Sequence, residues 1–144
     1  MCDTSHMTDR SRLVLAIADQ RALNLGLKAV MPVHLLFALA AEGNSIASTV
    51  LRYLGAENKD IQDAFSAGRI ATLEGTTPRL PWNDPTKQVL AQSSAELSPL
   101  RHNYIGPEHL ILGLSVVAPE LFERIGIKPD EIRSEVYAIL GHKL

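Results

Sequence analysis

Apolar residues recur at three- and four-residue intervals in two long stretches of this chain, with a segment rich in glycine and proline between them. Val14, Ile17, Ala18 and Leu25 follow the stripe of an amphipathic helix. Leu35, Leu36 and Leu39 form the buried face of a second helix that opens at Pro32, a residue suited to the first helical position. A short third helix stops at Gly55, and a fourth starts near Asn58, carries Ile61 and ends near Gly68. The second stretch repeats this order. It opens at Asn83, restarts at Pro107 with Leu110, Ile111 and Leu114, stops at Gly126, restarts near Pro129 with Ile132, and ends near Gly141. Thr8 and Asn83 occupy the two opening N-cap positions, and Asp9 and Asp84 follow where negative charge suits the helix dipole.

The two stretches are copies of one another. A shift of 75 residues superposes Asp9, Val14, Leu15, Ala16, Leu25, Pro32, His34, Leu35 and Leu39 on identical residues. These are nine identities over 32 positions, where average composition gives about two by chance. After a four-residue shortening, Gly55 and Ile61 match Gly126 and Ile132. The pattern predicts an all-α domain built from two pseudo-twofold four-helix repeats, eight helices in total. The expected boundaries are a disordered tail at 1–7, a first repeat at 8–67, a linker loop at 68–82 and a second repeat at 83–144.

Composition narrows the functional classes. The 144 residues are 46% hydrophobic, enough for one core. Three Phe, three Tyr and one Trp leave few of the residues that favour strands. Fourteen basic against sixteen acidic residues argue against nucleic acid as a partner. No apolar run is long enough to cross a bilayer, and 1–7 lacks the apolar stretch of a signal peptide. The single cysteine, Cys2, forms no internal disulfide, which fits a reducing, cytoplasmic compartment.

The common catalytic motifs are missing. There is no GxxxxGK[ST] loop, GxSxG elbow, HExxH helix or EF-hand loop, so the expectation is a non-enzyme without metal or cofactor. His34 and His109 are repeat-equivalent, and their duplication points to packing near a helix N-terminus rather than to metal or acid–base chemistry. His102 and His142 read as ordinary surface residues. Glu108 stands at the start of a helix, where the dipole stabilises a carboxylate, and composition favours that plain role; the alternative is that it accepts the cationic group of a ligand beside the N-terminus near Asn83, where free N–H groups attract anions. Trp82, just ahead of an N-cap, reads mainly as a staple onto the bundle; with Leu80 and Tyr104 it is also a candidate lining for a peptide groove.

The string Tyr104-Ile105-Gly106-Pro107-Glu108-His109-Leu110-Ile111-Leu112-Gly113-Leu114 resembles the "(Y/N)IGTEHLLLGL" signature of the Clp N-terminal domain, the substrate- and adaptor-binding module of ClpA- and ClpC-type AAA+ unfoldases. Val30 to Leu39 is a weaker copy. Met7-Thr8-Asp9 and Pro81-Trp82-Asn83 resemble the family's helix starts, and Leu51 to Gly55 and Phe122 to Ile127 its "L…LG(V/I)" ends. The resemblance implies a binding module for substrates, adaptors or arginine-phosphorylated proteins of a Clp protease, acting as a monomer. A stand-alone accessory protein that binds the protease core is the alternative. The chain is then either an N-domain cut from a longer ATPase or a stand-alone relative. The family's paired phosphoarginine pockets use an opening Thr and the Glu of a TEH motif. Carried over, one pocket maps to Asn83 and Glu108 and the other to Thr8 and Val33. Val33 has no acceptor for a guanidinium, and Pro107 removes a backbone N–H from the rim, so one competent pocket at most is expected.

Overall fold

A computed structural model describes residues 6–57, 60–61 and 81–141. The described residues are helical, with two isolated backbone bridges and no strands. The first repeat supplies α1 (Asp9–Asn24), α2 (Pro32–Glu42) and α3 (Ile46–Tyr53). Asp60 and Ile61 are helical where the fourth helix is expected; most of that helix, and 68–80 of the linker, lie outside the described residues. The second repeat supplies α4 (Asp84–Ala95), α5 (Leu97–Leu100), α6 (Pro107–Val117), α7 (Pro119–Arg124) and α8 (Pro129–Leu140). The long helix expected from Asn83 is thus broken after Ala95, and α5 ends at Arg101 in a left-handed conformation with φ 58°.

Local chemistry explains the boundaries. The Thr8 hydroxyl accepts the Ser11 N–H at 3.1 Å, and Asn83 Oδ1 accepts the Thr86 N–H at 3.0 Å. Ser45 and Ser48 form a reciprocal capping box at the start of α3. At the start of α8, Glu131 accepts the Lys128 N–H at 2.9 Å. Gly55 follows α3 and Gly126 follows α7 with φ of 90° and 80°, the left-handed C′ conformation that stops a helix.

The two repeats share one core. α6 lies at its centre and packs against α4 and α8 most closely, and also against α1, α2, α3 and α7. Leu110, Ile111, Leu112 and Leu114 of α6 are fully buried, as are Leu35, Leu36 and Leu39 of α2. Gly113 permits the tightest approach. A Cβ there would lie 2.6 Å from the Val89 carbonyl oxygen and collide with Ser93 of α4.

Two parallel bridges tie each repeat's opening to the segment just ahead of the other repeat's second helix. Met7 pairs with Ile105, and Trp82 pairs with Val30. The Ile105 N–H donates to His6 O at 2.7 Å and the Thr8 N–H donates to Ile105 O at 3.0 Å. Their counterparts are Val30 N–H to Pro81 O at 2.9 Å and Asn83 N–H to Val30 O at 3.1 Å. Met7 is therefore not part of a disordered tail. It is 3% exposed, held by backbone pairing and by burial of its side chain in the core.

Candidate functional site

The bridges decide which predicted site residues meet. Pairing of Met7 with Ile105 brings the cap of α1 to the start of α6, so Thr8 and Glu108 line one cavity of about 290 Å³. Asn83 is not among the residues that line it. Asn83 bonds to Val30, three residues ahead of Val33. The pairing crosses between repeats because each opening segment bridges to the residues just ahead of the other repeat's second helix. Thr8 and Glu108 fall together, and Asn83 lies at the other junction, bonded to Val30.

Three helix N-termini converge on the cavity. Thr8 caps α1, Ser45 and Ile46 open α3, and Gly106, Pro107 and Glu108 open α6. Unpaired N–H groups and aligned peptide dipoles make such a convergence favourable for an anion. Arg10 adds a cation at the rim, where its Nη1 lies 2.6 Å from Glu42 Oε2 and 3.2 Å from the Asn44 carbonyl. Glu42 is almost fully buried on its side-chain atoms and fixes the guanidinium. Glu108 supplies the opposite charge. Its carboxylate lies over the Cα of Gly106, close enough that any Cβ there would strike it. The cavity thus presents a carboxylate on one wall and an arginine with helix N-termini on the others.

The equivalent place in the other half lacks these groups. A 75-residue shift puts Pro85 where Arg10 stands and Val33 where Glu108 stands. Asn83 Oδ1 is already engaged by the Thr86 N–H and lies 2.6 Å from the Thr86 hydroxyl. Trp82 is half-buried against the core at its bridge, in keeping with a staple. Tyr104 is 58% exposed and precedes the other bridge, so the two aromatics flank different junctions. Leu80 and His142 lie outside the described residues.

Both repeat-equivalent histidines reach back to the backbone just ahead of their helix. His34 Nδ1 accepts the Met31 N–H at 2.8 Å, and His109 Nδ1 accepts the Gly106 N–H at 2.8 Å. Burial, with the positive charge of Arg21 added, lowers the His34 pKa to about 4. Burial also holds His109 below the ordinary imidazole range. His102 departs from the surface role expected of it. Its Nδ1 lies 2.8 Å from His109 Nε2 and the rings meet edge to face, because the left-handed turn at Arg101 folds the chain back toward α6. Beside this pair, Glu96 makes two 2.8 Å bonds to Arg133, which hold its carboxyl below the usual range. Sequence periodicity gave no sign of Arg10 or of the α3 N-terminus as site groups. For His102 the only signal is its place seven residues ahead of His109.

Among the described residues no group of three or more side chains is placed to hold a metal ion, and no helix is long and apolar enough to cross a membrane.

Comparison with known proteins places this architecture. The Clp repeat (R) N-terminal domain family matches residues 6–117. The negative regulator of genetic competence ClpC/MecB of Bacillus subtilis (strain 168) is 34% identical over 143 residues, covering 93% of this chain and 17% of the relative. The chain thus spans about a sixth of such curated relatives. Among solved structures, the N-terminal domain of the chaperone ClpD from Arabidopsis thaliana superposes with a TM-score of 0.76 at 20% identity, covering 97% of both chains. A ClpV N-domain solved in complex with a VipB peptide superposes with a TM-score of 0.69 at 18% identity, covering 96% of this chain and 89% of that one. By its sequence match and its fold, the chain belongs to the Clp repeat N-terminal domain family.

Proposed function

We propose that this chain is a non-catalytic recognition module that receives substrate proteins or adaptors for a Clp ATPase and its protease, with the Thr8–Glu108 cavity as its ligand pocket. The observation that carries this reading is the cavity's division of charge. Glu108 offers a carboxylate suited to a cation-bearing group, while Arg10 and the N-termini of α1, α3 and α6 suit an anion. A phosphorylated guanidine, with phosphate and guanidinium in one side chain, fits that division, so phosphoarginine on a client protein is the ligand class proposed. A ClpV N-domain holding a VipB peptide supports peptide recognition as the mode for this fold. Family membership supports a place in a Clp system, and the lone Cys2 fits a reducing compartment of the cytoplasmic type.

Titration calorimetry at neutral pH with free phosphoarginine, arginine and inorganic phosphate tests the pocket. The expected result is one site per chain for phosphoarginine, with both fragments binding at least about tenfold more weakly. Equal binding of phosphate and phosphoarginine would remove the role of Glu108. Capture from a lysate tests the wider role. Diverse clients or an adaptor fit recognition, whereas stoichiometric recovery of protease subunits alone would replace it with an accessory role on the protease core.

A further inference from the structure

His102 and His109 form a two-ring relay behind the pocket that the recognition role does not use. The Gly106 N–H points at His109 Nδ1, so that nitrogen carries the lone pair and the ring proton rests on Nε2. The Nε2–H then donates to His102 Nδ1 across 2.8 Å, and this nitrogen must also be bare. A proton added to His109 falls on Nδ1, where it meets the Gly106 N–H and breaks that bond. Gly106 is the junction of the pocket. Its neighbour Ile105 holds Thr8 through backbone bonding, and the Glu108 carboxylate lies on its Cα.

The first repeat lacks this device. His34 makes the equivalent bond to Met31, but Leu27 stands where His102 stands, and Val33 where Glu108 stands. The relay therefore occurs only on the side that carries the acidic pocket residue. We propose that His109, its ring held by His102, is a positioning residue for the Thr8–Glu108 pocket, and that protonation of His109 releases the first turn of α6 and weakens ligand binding.

The groups facing His109 set where this happens. Glu108 on α6 and Glu96 at the end of α4 favour the imidazolium, Glu96 being tied to Arg133 of α8. His102, from the connection between α5 and α6, opposes it. Burial is the largest influence and also opposes it, so His109 is neutral at neutral pH and gains its proton only on acidification.

This inference rests on the pocket proposed above, and the test separates the two. On the nitrogen-labelled chain, NMR follows the Gly106 amide and the imidazole nitrogens from about pH 8 to about pH 5, while phosphoarginine affinity is measured over the same range. The expected result is a single transition in which Gly106 loses exchange protection as His109 gains a proton. Affinity falls about tenfold across that transition. In His109→Gln, whose amide oxygen accepts the Gly106 N–H without titrating, the affinity ratio between the two ends of the range shrinks to about threefold or less. The ligand's own titration is common to both proteins and cancels in that comparison. A Gly106 amide that stays protected through the His109 titration overturns the relay, as does an equal affinity ratio in wild type and His109→Gln. Should phosphoarginine bind at no pH, the pocket reading fails, and the Gly106 transition still decides the relay.

Discussion

Acid should weaken this fold through His34, and the size of the effect follows from its burial. The imidazole is 1% exposed and its pKa falls from 6.5 to about 4, chiefly by desolvation and then by the charge of Arg21. Because the folded value lies below the unfolded one, the unfolded chain takes up the proton first. Stability is full above the unfolded value and declines as pH falls toward the folded value. Integrating the difference gives a loss of about 2 kcal/mol at about pH 5 and about 3 kcal/mol at about pH 4. His109 and Glu96 have depressed values as well, so they act in the same direction. A variant is needed to isolate His34. His34→Gln keeps an acceptor at the third helical position for the Met31 N–H and removes the titration. Urea denaturation of both proteins between about pH 7.5 and about pH 4 should give two curves that converge as pH falls, by about 2–3 kcal/mol in total. Curves that stay parallel would refute the assignment of this stability to a desolvated His34.

Other substitutions test the packing and the caps. Gly113→Ala forces a methyl group against the Val89 carbonyl and Ser93, and should lower stability by about 2 kcal/mol in urea denaturation. Thr8→Ala removes the acceptor for the Ser11 N–H and should cost about 1 kcal/mol by thermal unfolding, while also weakening phosphoarginine binding. Glu96→Ala leaves Arg133 without its two-bond partner; a loss of about 2 kcal/mol is expected by calorimetric unfolding, and an unchanged midpoint would count against the pair. Trp82→Ala should lower the melting temperature more than it lowers ligand affinity, because the ring packs on the core at its bridge; a stable variant that loses binding would contradict this.

The repeat, its caps and its glycine stops were legible because they depend on neighbours close in sequence. Thr8, Asn83, Pro32, Pro107, Gly55 and Gly126 act within three or four residues of themselves, and each sits where the pattern placed it. The break after Ala95 was less legible, since Leu97 and Leu100 continue the apolar stripe across it. Residue types at the site were also readable: Thr8 and Glu108 stood out as a cap and an acidic helix start. Their partnership was not, because it depends on two bridges that join residues 98 positions apart in one case and 52 in the other. A one-dimensional match of repeats assigns each cap to its own repeat, whereas the fold exchanges them. The same limit hid His102, whose role depends on a left-handed turn at Arg101, and Arg10, whose guanidinium is aimed by Glu42 on another helix.

The central claim is that the pocket is built across the repeats, from Thr8 of the first and Glu108 of the second. A double-mutant cycle in phosphoarginine affinity tests it directly, with Thr8→Ala, Glu108→Gln and their combination compared with Asn83→Ala, Glu108→Gln and theirs. Coupling of at least about 0.5 kcal/mol between Thr8 and Glu108, with Asn83 and Glu108 additive to within about 0.3 kcal/mol, is the predicted result. Coupling of Glu108 to Asn83, with none to Thr8, would contradict it.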